Sequence, residues 1–174
     1  INIGQKKYAE VLSDFERGMV VAPKNLQINA LGARMYGEVG EYDKALAQAD
    51  VTIALAPMRD NGYYQKAQIL RRMKQYDDAF VMFQKAIDRK PSSPIIYLQT
   101  SSFMEQIQKI PEAELVIHSG IIHHPTNVEL HARLAALSLL QNKRSDALRE
   151  VAIALELDPT NRTALKVKAR SEER

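Results

Sequence analysis

Apolar residues recur along the chain three and four positions apart, a helical spacing rather than a strand alternation. Their arrangement also repeats. Prolines at 23, 57, 91, 125 and 159 stand 34 residues apart, and a fixed period of that length marks a repeat array. Pro94 and Pro111 fall off this grid. With each grid proline numbered position 32 of its unit, bulky apolar residues occupy position 11 (Tyr36, Leu70, Met104) and position 24 (Phe15, Phe83, Ile117, Val151). Small residues hold position 8 (Ala33, Ala67, Ser101, Ala135, Ala169), where they let two helices approach closely. The same holds for position 20 (Val11, Ala45, Ala79, Ala113, Ala147) and position 27 (Gly18, Thr52, Ala86, Gly120, Ala154). Polar position 15 (Gly40, Lys74, Gln108, Asn142) predicts a turn between two helices. Position 34 (Asn25, Arg59, Ser93, Asn127, Asn161) offers a good helix N-cap in four of five cases. Pro94 follows its cap at the first helical position, where a missing N–H costs nothing. Each unit therefore reads as helix A, a short turn, helix B and a proline turn.

The expected organisation is a single all-α array over 1–174. A half-repeat (1–25, helix B alone) precedes complete repeats at 26–59, 60–93, 94–127 and 128–161, and a capping helix at 162–174 closes the array. A two-helix unit cannot bury its own apolar stripe, so each repeat relies on its neighbours. The capping helix is expected to turn Ala164, Leu165 and Ala169 inward and Lys166, Lys168 and Arg170 outward. At the other end, Lys6 to Val21 reads as a helix B without its helix A, leaving Tyr8, Leu12, Phe15 and Met19 short of a partner on one side. The expectation is a fragment of a longer protein, in which another repeat precedes Ile1 or a second chain docks there. Self-association through this incomplete repeat is one form of that.

Composition and charge narrow the function classes. The net charge is +3, and the segment 162–174 alone accounts for it, so the rest of the chain is neutral. No basic footprint for nucleic acid extends over a face, and the terminal cluster reads as a solvated helix. No apolar run approaches the ~18–20 residues of a membrane span. The chain is expected to be soluble, in cytoplasm or periplasm. Without cysteine there is no disulfide framework and no thiolate site. His118, His123, His124 and His131 lack cysteine or carboxylate at metal-ligand spacing, and read as turn and packing residues. No phosphate loop, zinc-hydrolase helix or nucleophile elbow occurs. The reading is of no metal, no cofactor and no catalysis.

The columns resemble the tetratricopeptide repeat, whose signature positions favour a large aromatic, Leu, a small residue, a large one, Ala, a large apolar residue, a small one and Pro. The resemblance covers essentially the whole chain. Half-a-TPR repeats rely on Trp, which is absent, and pentatricopeptide repeats have a 35-residue period without this proline. Two columns depart from the pattern. Position 7, usually Leu, is Gly32, Lys66 and Thr100 before conforming at Leu134, and position 4 is polar at Asn29 and His131 but tyrosine at Tyr63 and Tyr97. Looser packing of those first helices is expected.

The resemblance implies a superhelix lined by helix A, with positions 2, 5, 6, 9 and 12 facing a concave groove. The expected binding residues are Arg34, Tyr64, Gln65, Gln68, Arg71, Gln99, Ser102 and Arg133. An aromatic, amides and guanidinium forks at helical spacing suit a peptide backbone and an acidic group. Chaperone-binding members hold an EEVD-type C-terminus with lysines, an arginine and asparagines. Here those positions read Ala30, Arg34, Gln65, Ile95 and Gln99, or one repeat later Tyr64, Gln68, Gln99, Glu129 and Arg133. The lysines are missing and Glu129 would repel a carboxylate, so that ligand is not expected. The implied function is a non-catalytic protein-interaction scaffold that captures a partner's peptide segment or helix. The alternatives are a structural assembly element packing through its ends or convex face, and the repeat portion of a larger secretion or envelope-assembly protein.

Overall fold

The computed structural model describes residues 13–172, all in helices and short turns, and the chain forms two compact units, 1–90 and 91–174. In unit 1, residues 13–21 (α1) are followed by α2 (Leu26–Val39), α3 (Tyr42–Leu55), α4 (Asn61–Arg72) and α5 (Tyr76–Ile87). Unit 2 contains α6 (Pro94–Gln106), α7 (Ile110–His123), α8 (Val128–Leu140), α9 (Arg144–Leu157) and α10 (Arg162–Glu172). Within each unit consecutive helices pack on each other, and helices A also meet, α2 on α4 and α6 on α8.

Among the described residues the small-residue columns lie largely in the core, and Ala169 is exposed. Ala33, Ala67, Ser101 and Ala135 at position 8 are fully buried, as are Ala45, Ala79, Ala113 and Ala147 at position 20. The expected capping is present at three of the four good caps. Asn25, Asn127 and Asn161 accept first-turn amides of α2, α8 and α10 on their side chains. Ser93 makes no such bond; α6 begins instead with Pro94, which removes one of the donors a cap would serve.

Position 15 is a backbone device. Gly40, Lys74, Gln108 and Asn142 all take left-handed φ between 59° and 84°. In each case the next amide reaches back across the turn: Glu41 to the Tyr36 carbonyl, Gln75 to Leu70, Lys109 to Met104 and Lys143 to Ser138. These bonds satisfy carbonyls that the end of helix A would otherwise leave bare. Glycine and asparagine accept this conformation readily, whereas lysine and glutamine pay a Cβ penalty. Lys74→Gly and Gln108→Gly should therefore each stabilise the fold by about 0.5–1 kcal/mol, read as a rise in the urea midpoint. No gain at either site would mean that the side-chain stems compensate for the strain.

The polar residues at position 4 do not loosen the packing, contrary to expectation. Asn29 is fully buried and its amide donates to the carbonyls of Pro23 (2.9 Å) and Asn25 (2.8 Å). His131 sits 2.9 Å from the Pro125 carbonyl through Nε2 and 2.8 Å from Glu150 through Nδ1. Where position 4 is tyrosine, the proline carbonyl is met from the end of helix B. Arg89 stacks 3.7 Å above the Tyr63 ring and donates to Pro57, and His124 lies beside Tyr97 and 3.3 Å from the Pro91 carbonyl. Each complete repeat thus supplies a donor to the proline carbonyl before it by one of two routes.

Two further expectations change at the ends. Phe15 does not lack a partner: it is 4% exposed, edge-on to Tyr36 at 5.5 Å and seated against Gly32, whose missing side chain makes the room. Met19 is half-buried against the same cluster, while Tyr8 and Leu12 lie outside the described residues. In α10 the buried face is Ala164, Val167 and Ser171, and Leu165 and Ala169 are exposed. The buried three pack toward α8 and α9; positions 4 and 8 are those a helix A turns toward its own helix B.

Candidate functional site

The helix-A faces carry the residues expected to bind. In unit 1 they are built by α2 and α4. Gly37 of α2 sits on Ile69 of α4, with the two helices close enough that a Cβ there would be in van der Waals contact with Ile69. Arg34 is exposed on α2, while Tyr64, Gln65, Gln68 and Arg71 line α4, each half-buried. The Tyr64 ring meets Phe83 of α5 edge-on at 6.0 Å, which fixes its orientation. Its hydroxyl accepts a 2.7 Å bond from the Gln68 side-chain amide. Burial pushes the Tyr64 phenol up, against the opposing pull of the Gln68 bond and the Arg71 charge, so it stays neutral at physiological pH.

The cations of this unit fall into two groups. Arg72 pairs with Glu38, and Lys66 with Asp50 at 2.6 Å. Arg34 and Arg71 have no carboxylate partner among the described residues. α4 therefore presents a positioned aromatic and amides, and α2 and α4 each carry an arginine with no carboxylate partner among the described residues.

Unit 2 differs. Gln99 and Ser102 are exposed on α6, but Arg133 of α8 is tied down: its Nε donates to Ser101 Oγ at 3.2 Å and its terminal nitrogen pairs with Glu105. Of the other positions assigned to the groove, Ala30, Gly37 and Ala132 are buried in the helix packing and contribute no contact surface. Among the described residues no three of His, Asp and Glu come together in a way that could hold a metal ion. No helix among them is long and apolar enough to cross a membrane.

Solved structures decide the fold. The crystal structure of MamA superposes with a TM-score of 0.69 at 15% identity, over 91% of this chain and 96% of that one. That of YrrB, described as a TPR protein with an unusual peptide-binding site, gives 0.66 at 18% identity over 92% and 84%. The fold is that of the tetratricopeptide repeat. Among curated proteins, Hsp70-Hsp90 organizing protein 2 of Arabidopsis thaliana is 24% identical over 111 residues, 64% of this chain. The chain spans about a fifth of the length of such relatives, 19% in that case. No family model matches it.

Proposed function

We propose that the chain is a non-catalytic protein-interaction scaffold that holds a peptide segment or helix of a partner protein against its helix-A faces. Arg34, Tyr64, Gln65, Gln68 and Arg71 are the principal contacts, and Gln99, Ser102 and Arg133 the equivalent set of unit 2. The observation that supports this reading is the Tyr64–Gln68 bond on α4 together with Arg34 and Arg71, neither of which has a carboxylate partner among the described residues. A guanidinium suits carboxylate and carbonyl oxygens, and a rigid helical lining limits what the scaffold must order on binding. The YrrB structure, by its description, holds a peptide-binding site on the same fold. The curated relatives are named for Hsp70 and Hsp90. This chain lacks the lysines of an EEVD clamp, and the proposed partner is a different sequence.

The test is affinity capture from the source lysate with wild type beside an Arg34→Ala, Tyr64→Ala, Gln68→Ala triple variant. All three side chains are at least partly exposed, so the variant should keep its helical circular dichroism. The partner should be retained by wild type and lost, by tenfold or more in yield, from the variant. Equal capture by both would move the interface elsewhere.

A second reading, self-assembly through the helix-B side, draws on α7. Leu115 and Ile122 are 69% and 76% exposed there, where α9 carries Arg149 and Glu156. Sedimentation of Leu115→Ser/Ile122→Ser beside wild type would reveal it as a loss of dimer.

A further inference from the structure

Leu115 and Ile122 of α7 are the most exposed large hydrophobic side chains of unit 2 among the described residues. They stand seven residues apart, two helical turns, on the side of α7 opposite the buried Ala113, Val116, Ile117 and Gly120. The same two repeat positions of α9, 34 residues on, are Arg149 and Glu156, both exposed opposite the buried Ala147, Val151 and Ala154. Glu156 has no cationic partner among the described residues. Arg149 pairs only within its own helix, at 3.0 Å from Asp146 and 3.5 Å from Glu150. The Asp146 pair lies at the surface, where such a contact contributes little, and the Glu150 charge already faces His131.

One symmetry operation satisfies both helices at once. A two-fold axis running across α7 and α9, midway between the two positions, lays a second copy antiparallel on the first. Leu115 then meets Ile122 of the second copy and Arg149 meets its Glu156, each contact made twice. A parallel two-fold would place Leu115 on Leu115 and carry the two α9 helices apart, leaving Glu156 unanswered. We propose that two copies of this chain pair in the antiparallel way, through α7 and α9. The pairing rests on the reading of self-assembly through the helix-B side. It leaves α6 and α8 of both copies uncovered, so assembly and peptide capture become compatible and the pair is a bivalent scaffold.

The chain has no cysteine, so introduced ones report the register. His118 is exposed and lies nearest the axis, and His118→Cys should crosslink to its own copy on mild oxidation. Leu115→Cys would stand about 10 Å along the helix from its own copy, beyond disulfide reach, and should not crosslink alone. Mixed with Ile122→Cys it should. All three positions are exposed, so these variants should keep their helical circular dichroism. In sedimentation, wild type should be a dimer, Leu115→Ser/Ile122→Ser a monomer, and Glu156→Arg a dimer that dissociates roughly fivefold more readily. A monomeric wild type would overturn the pairing together with the self-assembly reading. A dimer lost in the serine variant, in which Leu115→Cys crosslinks to itself and not to Ile122→Cys, would refute the antiparallel register and leave self-assembly standing. Unchanged dissociation of Glu156→Arg would likewise overturn the contact between the two α9 helices.

Discussion

Glu150→Ala is expected to destabilise unit 2 by roughly 3–5 kcal/mol, the cost of breaking a buried pair from one side. The two residues of the pair are 5% and 7% exposed, and Nδ1 of His131 lies 2.8 Å from Glu150 Oε2. The other ring nitrogen faces the Pro125 carbonyl at 2.9 Å, so both edges of the imidazole are committed. Removing the carboxylate leaves a largely buried polar ring edge without its side-chain partner. Glu150→Gln keeps an oxygen at the same position and should cost about 1–2 kcal/mol. His131→Asn is the second control, because Asn29 already performs the carbonyl half of this task at the equivalent position of α2. The measurement is urea unfolding followed by circular dichroism, with amide exchange assigning the loss to α8 and α9. Two compact units need not unfold together, so a single midpoint would understate the effect. Equal stability of Glu150→Ala and wild type would mean that the pair contributes nothing beyond filling space.

Gly32→Ala should destabilise unit 1 through a single added methyl. A Cβ on Gly32 would fall inside the van der Waals envelope of the Phe15 ring, which is itself pinned edge-on against Tyr36. Overpacking of this kind costs about 1–3 kcal/mol, because a buried ring has no empty space to retreat into. The diagnostic is the double variant. Phe15→Leu alone leaves a gap, but with Gly32→Ala the new methyl occupies part of it, so the pair should be more stable than the two costs summed. Simple additivity in thermal unfolding would show that the clash is relieved by backbone movement instead.

The fold was legible because it depends on a few columns recurring at 34-residue intervals. Alanines that are fully buried here, such as Ala45, Ala79, Ala113 and Ala147, can be read without knowing any contact. What the columns hid were the substitutions that work by a different mechanism. Gly32 at a leucine position is an accommodation of Phe15 rather than a weak point. Asn29 and His131 exchange an aromatic contact for a hydrogen bond to a proline carbonyl. Position 15 could be recognised as a turn, but Lys74 and Gln108 gave no hint of a left-handed backbone that glycine and asparagine would have advertised.

The candidate site was less legible, for an electrostatic reason. Helical spacing placed Tyr64 and Gln68 side by side correctly, since a separation of four residues brings two side chains together. It could not reveal that Arg133 is claimed by Glu105, 28 residues away, while Arg71 is not claimed at all among the described residues. Nor could it foresee that Ala30 and Ala132 are consumed by the packing of neighbouring helices. In α10 Ala164 is buried and Lys166, Lys168 and Arg170 are exposed as expected, whereas Leu165 and Ala169 are exposed and Val167 and Ser171 take the buried face instead. Such leftover charges and surfaces follow from tertiary pairing and not from the repeat pattern.

The most direct test of the account is a hydrogen-exchange footprint of the captured partner on this chain. Binding at the helix-A faces predicts slowed exchange in α2 and α4, around Arg34, Tyr64, Gln68 and Arg71, with α3 and α5 unchanged on their outer sides. Protection confined to the helix-B elements α3, α5, α7 and α9, with α2 and α4 exchanging as in the free protein, would contradict it.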